Sequence, residues 1–194
     1  MTTAVFIAEL TDKDALLILA LATKIRPRIV FASGLVAFTI TTAIIVSLGS
    51  FLISVLPVFW ITLSGAVIMI GYGVLLLLRV RNDEESLNEE ETRLLKRSTE
   101  KNAWSTFLSI VPMLVLLDLA GDATEILIIV FVANLQNVVL VFVGSLVALA
   151  AATALETTIG HTLSRILSLQ RIKLVSSLVF LTLGIVVIVG MLAG

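Results

Sequence analysis

Six stretches of the chain are almost wholly apolar and long enough to cross a bilayer: roughly residues 3–23, 29–55, 58–78, 104–133, 137–161 and 173–193. A spanning helix needs about 20 such residues, and the second and fourth stretches have enough to tilt or break. Between the third and fourth the pattern inverts, because NDEESLNEEETRLLKRSTEKN (82–102) is densely charged. There Glu89 and Arg93 stand four apart and Leu87, Leu94 and Leu95 give a weak apolar edge, so a short surface helix or a flexible connector is expected. The chain thus divides into residues 1–79, a charged linker over 80–103, and residues 104–194, with three spans on each side. The expected fold is an all-α integral membrane protein with six transmembrane helices.

Composition strengthens that reading. The 194 residues are 59% hydrophobic and 14% charged, against about 25% charged in a soluble domain, and the mean hydropathy is +1.15. With no cysteine, disulfides, thiolate metal sites and cysteine nucleophiles are excluded. A net charge of −1 gives no electrostatic case for nucleic acid. The opening MTTAVFIAELTDKDALL lacks the basic start and clean apolar core of a cleavable signal peptide.

Charge then orients the spans. Of 13 Lys and Arg, 12 fall in the loops after spans one, three and five. The positive-inside rule makes that side cytoplasmic, with both termini outside and the linker inside. Trp60 and Trp104 open spans three and four, where interfacial aromatics belong. The plasma membrane is the expected location.

Three spans per half means that any repeat between halves is inverted. TTAIIVSLG (41–49) aligns with ATALETTIG (152–160), and the same offset of 111 places Gly73 on Gly184. In spans one and four the offset becomes 110 for Asp12 with Asp122, and 109 for Glu9 with Asp118. The fourth span therefore carries an extra residue near Ala120-Gly121, which a helix absorbs as a π-bulge. The expected architecture is two inverted three-helix repeats.

Half of the 14 acidic residues lie in the linker; the other seven lie in spans. They are Glu9, Asp12 and Asp14 in the first, Asp118, Asp122 and Glu125 in the fourth, and Glu156 in the fifth. Spans one and four are centred near residues 13 and 118, so these charges sit at the midplane, where each costs about 2.5–3.5 kcal/mol. Lys13 is the sole basic residue inside a span and cannot pair them all. Read as continuous helices, Glu9, Asp12 and Lys13 (i, i+3, i+4) share one face, as do Asp118, Asp122 and Glu125 (i, i+4, i+7). Asp14 then points elsewhere, towards another helix. Two acidic faces meeting at a repeat axis describe the midplane site of a secondary transporter. Carboxylates are hard ligands suited to Ca²⁺, Mg²⁺ and Mn²⁺, and Thr11 and Thr124 add hydroxyls. Protons compete with a metal for the same oxygens, which is the basis of cation/proton exchange. Glu156 lies about 10 Å of helix rise cytoplasmic of its span centre. Its aligned partner is Ile45, and it reads equally as an ion or proton relay and as a satisfied polar contact. Lys13 reads as an internal counter-ion or a structural tether, and His161 as an interfacial residue.

AELTDKD (8–14) resembles the E-x-G-D-[KR]-[ST] signature of the Gdt, or transmembrane protein 165-like, family of manganese/calcium–proton exchangers. The resemblance covers nearly the whole chain, including the charged linker, the small-residue second and fifth helices and the glycines that follow them. It implies two inverted three-helix repeats, each opening with the signature. It also implies that Glu9 and Asp12 are cation-site acids, with Lys13 at the basic position. Thr11 replaces the signature glycine and Asp14 the hydroxyl residue. In the second copy Gly121, Asp122 and Thr124 match, Ala123 replaces the base, and Leu119 takes the glutamate position with Asp118 just before it. The chain is similar to a divergent member, with a more acidic site than the pattern.

The expected function is exchange of Ca²⁺ or Mn²⁺ for protons. Glu9, Asp12, Asp118 and Asp122 would hold the cation, supported by Thr11, Lys13, Asp14, Thr124, Glu125 and Glu156. No resident cofactor is expected; the partners are the metal cations and the lipid bilayer. The alternatives are an exporter or channel for another cation, a structural membrane protein, and an intramembrane aspartyl protease using Asp12 and Asp122. For the protease, LAGD (119–122) is only a partial match to Gly-x-Gly-Asp, and the surplus acids have no role.

Overall fold

The computed structural model of the chain describes residues 1–79, 103–119, 123–166 and 169–193. Those residues form eight helices: α1 (Thr2–Leu10), α2 (Lys13–Lys24), α3 (Pro27–Val55), α4 (Val58–Arg79), α5 (Ala103–Asp118), α6 (Ala123–Leu135), α7 (Val138–Ile166) and α8 (Leu169–Ala193). Four segments are long and apolar enough to cross a membrane: Pro27–Val55, Val58–Leu78, Val138–Ile159 and Leu174–Leu192. Two shorter apolar helices, Ala103–Asp118 and Thr124–Leu135, stand where the fourth span was expected. The acidic linker and its expected surface helix lie outside the described residues.

The main correction concerns the first and fourth stretches. Neither is one helix. The first divides at Thr11–Asp12 into α1 and α2, and the fourth divides after Asp118 into α5 and α6. Helical-face spacing therefore does not relate Glu9 to Asp12 and Lys13, or Asp118 to Asp122 and Glu125. The π-bulge expected near Ala120-Gly121 lies outside the described residues.

Local chemistry sets the other boundaries. Pro27 opens α3 at a position where a missing N–H costs nothing. Pro57 precedes α4, and its carbonyl accepts the N–H groups of Trp60 and Ile61. Gln136 closes α6 in the left-handed region, with φ 49°, and its N–H reaches Val132 O at 3.0 Å. The Asn137 side chain then accepts the Leu140 N–H at 3.0 Å, capping α7.

The two long helices α3 and α7 take the broken pairs: α5 and α6 pack on α3, while α1 and α2 pack on α7. The closest helix pairing is α4 with α8. It depends on two glycines that face the partner backbone. A Cβ at Gly73 would stand 3.0 Å from Ser177 O, and one at Gly184 would stand 3.0 Å from Ala66 O. Ile18, Phe38, Leu114, Leu127 and Phe180 fill the buried centre. The outside is apolar, with Phe51, Trp60, Leu116, Val139 and Leu192 exposed. An apolar exterior around a polar centre suits lipid, and the molecule is an integral membrane protein. Trp60 and Trp104 are both exposed at helix starts, as interfacial aromatics are.

Candidate cation site

A helix that ends in the middle of an apolar layer must satisfy its own backbone groups. At the first break this is done locally. The Thr11 N–H bonds to Ala8 O at 3.1 Å and the Asp12 N–H to Glu9 O at 3.0 Å, so α1 tightens over its last turn. The Thr11 hydroxyl donates to Ala8 O at 2.9 Å and to Ile7 O at 3.1 Å. Thr11 O accepts the hydroxyl of Ser176, which reaches across from α8.

Both breaks deliver acids in the same way. The incoming half-helices carry Glu9 and Asp118 at their C-terminal ends. The outgoing ones carry Asp14 and Glu125 in their first turns, where the helix dipole favours negative charge. The two breaks meet directly, because the Thr124 hydroxyl donates to Asp12 Oδ2 at 3.3 Å. Residues 112 apart in sequence are joined at this bond.

Six acids are gathered out of solvent. Glu9, Asp12, Asp14, Asp118, Glu125 and Glu156 are each between 1% and 7% exposed. Glu9 feels the charges of Glu156, Asp118, Asp14 and Asp12, with Glu156 the strongest. Asp14, expected to point elsewhere, thus acts on the same cluster. Among the described residues no lysine or arginine is buried. Asp122 and the side chain of Lys13 lie outside the described residues, so the matching signature aspartate and the expected counter-ion are not placed.

Beside the junction is a small pocket. Asp118, Thr124 and Glu125 line it from the fourth stretch, and Thr41, Thr42 and Ile45 line it from α3. The two α3 threonines were missed as site residues. Their signal was present in sequence, as a hydroxyl pair inside an apolar helix, but it served only to align the repeat. The Thr42 hydroxyl is buried without a hydrogen-bond partner. Ser176 was also missed, since its role depends on a contact 165 residues away. Among the described residues, no three acidic or imidazole side chains converge closely enough to hold a metal ion.

A model of the divalent cation/proton antiporter GDT1 family matches residues 1–84 and 106–194. The chain belongs to the GDT1 divalent cation/proton antiporter family. The two matched segments leave out most of the linker and include both breaks. This GDT1 protein is therefore a transporter with a divalent cation as substrate, and not an enzyme; the aspartyl protease reading falls with that. No curated protein and no solved structure matches the chain.

Proposed function

We propose that this GDT1 protein exchanges Mn²⁺ or Ca²⁺ for protons at a central carboxylate site. Glu9, Asp12, Asp118 and Asp122 bind the cation. Thr11, Asp14, Thr124, Glu125 and Glu156 support them, and Lys13 serves as internal counter-ion. The observation that carries the reading is the Thr124–Asp12 hydrogen bond among six buried acids. Two broken spans meet there, and helix breaks that face an ion site are how transporters free polar groups at membrane depth. Oxygen-only ligands favour hard cations. The cation and the protons neutralise the same carboxylates in turn, so neither needs to leave the acids as bare charges in an apolar layer.

The two halves are read as inverted three-helix repeats over 1–79 and 104–194, in a membrane-embedded six-span arrangement. Burial supports this. At the offset of 111, the buried α3 residues Phe38, Thr41, Thr42 and Ile45 map onto the buried α7 residues Leu149, Ala152, Thr153 and Glu156. The reciprocal glycines Gly73 and Gly184 keep the same offset. The one-sided Lys and Arg support a cytoplasmic linker with both termini outside, and the plasma membrane is the proposed location.

The test is to neutralise Glu9, Asp12, Asp118 and Asp122 one at a time and measure transport in folded protein. Each substitution should abolish exchange. Retained transport in all four would remove the site assignment.

A further inference from the structure

Thr42 holds a polar group that its own helix does not use. It is 2% exposed, and it lines the small pocket shared with Asp118, Thr124 and Glu125. Its hydroxyl has no hydrogen-bond partner among the described residues. A threonine or serine inside an apolar helix normally bonds a carbonyl one turn back. The buried hydroxyls of Ser33, Thr41, Thr153 and Thr157 do so, at distances between 2.7 and 3.2 Å. Leaving a buried hydroxyl without a partner is unfavourable. Ser145 on α7 is in the same condition, but it is not part of the pocket wall.

The repeat isolates the exception. At the offset of 111 Thr42 falls on Thr153, which is also buried. Thr153 donates to Leu149 O at 2.8 Å and does not line the pocket. The same residue type at the same repeat position is thus satisfied by its own helix in one half and turned to the pocket in the other. The acids indicate what it is turned to. Among the described residues no three of them come close enough to hold an ion by themselves. A hard divalent cation such as Ca²⁺ takes about six to eight oxygens, and the pocket is too small for an ion with a full shell of water. Oxygens from the rest of the wall must then complete the shell.

We propose that the Thr42 hydroxyl oxygen is a further ligand of the transported cation, contributed to the central site by α3. It rests on the reading of the buried acids as that site. The oxygen is neutral, so it extends the coordination shell without adding negative charge to an already acidic cluster. It also gives α3 a direct hold on the ion, which the acids of the two broken spans do not provide.

The experiment is calorimetric titration of the purified full chain with Mn²⁺ and with Ca²⁺, alongside thermal melting without divalent cations. Thr42→Val keeps the branched shape and removes only the oxygen. It should weaken binding of the ion by about tenfold or more, as the loss of one supporting group does at metal sites. Without cation it should melt no lower than the wild type, because its hydroxyl gives up no bond. Thr42→Ser keeps the oxygen and should bind like the wild type, as should Thr153→Val at the repeat-related position. Wild-type affinity in Thr42→Val, or equal losses in Thr42→Val and Thr42→Ser, overturns the ligand. So does an equal loss in Thr153→Val, or a lower cation-free midpoint in Thr42→Val. Asp118→Asn tests the underlying reading separately. Loss of binding there with wild-type affinity in Thr42→Val overturns Thr42 alone. Wild-type affinity in Asp118→Asn, or binding of neither ion by the wild type, overturns the central site and this ligand with it.

Discussion

Removing one hydroxyl at the junction of the two broken spans should loosen the molecule by a measurable amount. Thr124 is 2% exposed and donates to Asp12 Oδ2 at 3.3 Å. A hydrogen bond to a charged group contributes about 1.5–3 kcal/mol. The observed separation exceeds the roughly 2.5–3.0 Å of a good O–H···O bond, which lowers the expectation to about 1–1.5 kcal/mol. Valine keeps the branched shape of threonine, so Thr124→Val removes the donor without opening a cavity. In a protein of this size each kcal/mol shifts the midpoint by about 2–4 °C, so the fall should be about 2–6 °C. The assay is thermal melting of the purified protein in detergent without divalent cations. Thr124→Ser keeps the hydroxyl and should lose less than half as much. A double-mutant cycle with Asp12→Ala isolates the bond and should return a coupling of about 1 kcal/mol. Wild-type melting of Thr124→Val, or effects additive to within about 0.3 kcal/mol, would refute the claim that this bond ties the two breaks together.

Three further outcomes are expected. Because protons and the cation compete for the same carboxylates, Mn²⁺ affinity should weaken as pH falls, by about tenfold per pH unit for each proton displaced; calorimetric titration between pH 6 and 8 giving one constant value would contradict the competition. Gly184→Leu should destabilise by about 1–3 kcal/mol through overpacking, since its Cβ would stand 2.6 Å from Ile70 Cγ1 and 3.0 Å from Ala66 O. Gly190→Leu, with nothing within 4 Å, should melt like the wild type, and equal midpoints for the two variants would show that the α4–α8 approach is not tight. Gln136→Gly should raise the midpoint by roughly 1–4 °C, because φ 49° strains a side-chain-bearing residue by about 1–2 kcal/mol and glycine's greater chain entropy takes back only part of that; a lowered midpoint would mean that Gln136 makes a contact worth more than the strain.

The boundaries of the unbroken spans were legible because they depend on local signals. Pro27, Pro57 and the Gln136-Asn137 turn stand where the apolar runs change. The break in the first stretch was not legible, and that in the fourth only as a length that allows a tilt or a break. Acids three and four apart read naturally as one helix face, and Thr11 carries no glycine to announce a stop. Part of what holds the first break is distant in sequence: beside the local bonds of Thr11 and Asp12, a Ser176 hydroxyl donates to Thr11 O, and no local pattern encodes that contact. The acids were legible as charges in apolar runs: Glu9, Asp12, Asp118 and Asp122 were named as cation ligands with Glu125 in support, and of these Glu9, Asp12, Asp118 and Glu125 are buried, while Asp122 lies outside the described residues. Asp14 was named as a supporting acid but expected to point elsewhere, because a continuous helix would turn it away; a helix restarting at Lys13 puts it in a first turn. Glu156 read equally as an ion or proton relay and as a satisfied polar contact, because its aligned partner is Ile45; its charge acts on Glu9 through the packing of α1 on α7, which no local pattern shows. Thr41 and Thr42 were hidden by their ordinary role, since threonines inside apolar helices usually bond their own backbone, as Thr41 does to Ala37 O at 3.2 Å.

The central claim is that cation and proton movements are obligately linked through these carboxylates. The most direct measurement uses proteoliposomes with a trapped pH dye, with Mn²⁺, Ca²⁺, Mg²⁺ and Na⁺ added outside in turn. The account predicts that Mn²⁺ or Ca²⁺ entering the vesicle drives protons out, and that Asp12→Asn and Asp118→Asn abolish both movements together. Cation uptake without proton movement, or proton-coupled uptake that persists in both variants, would contradict it.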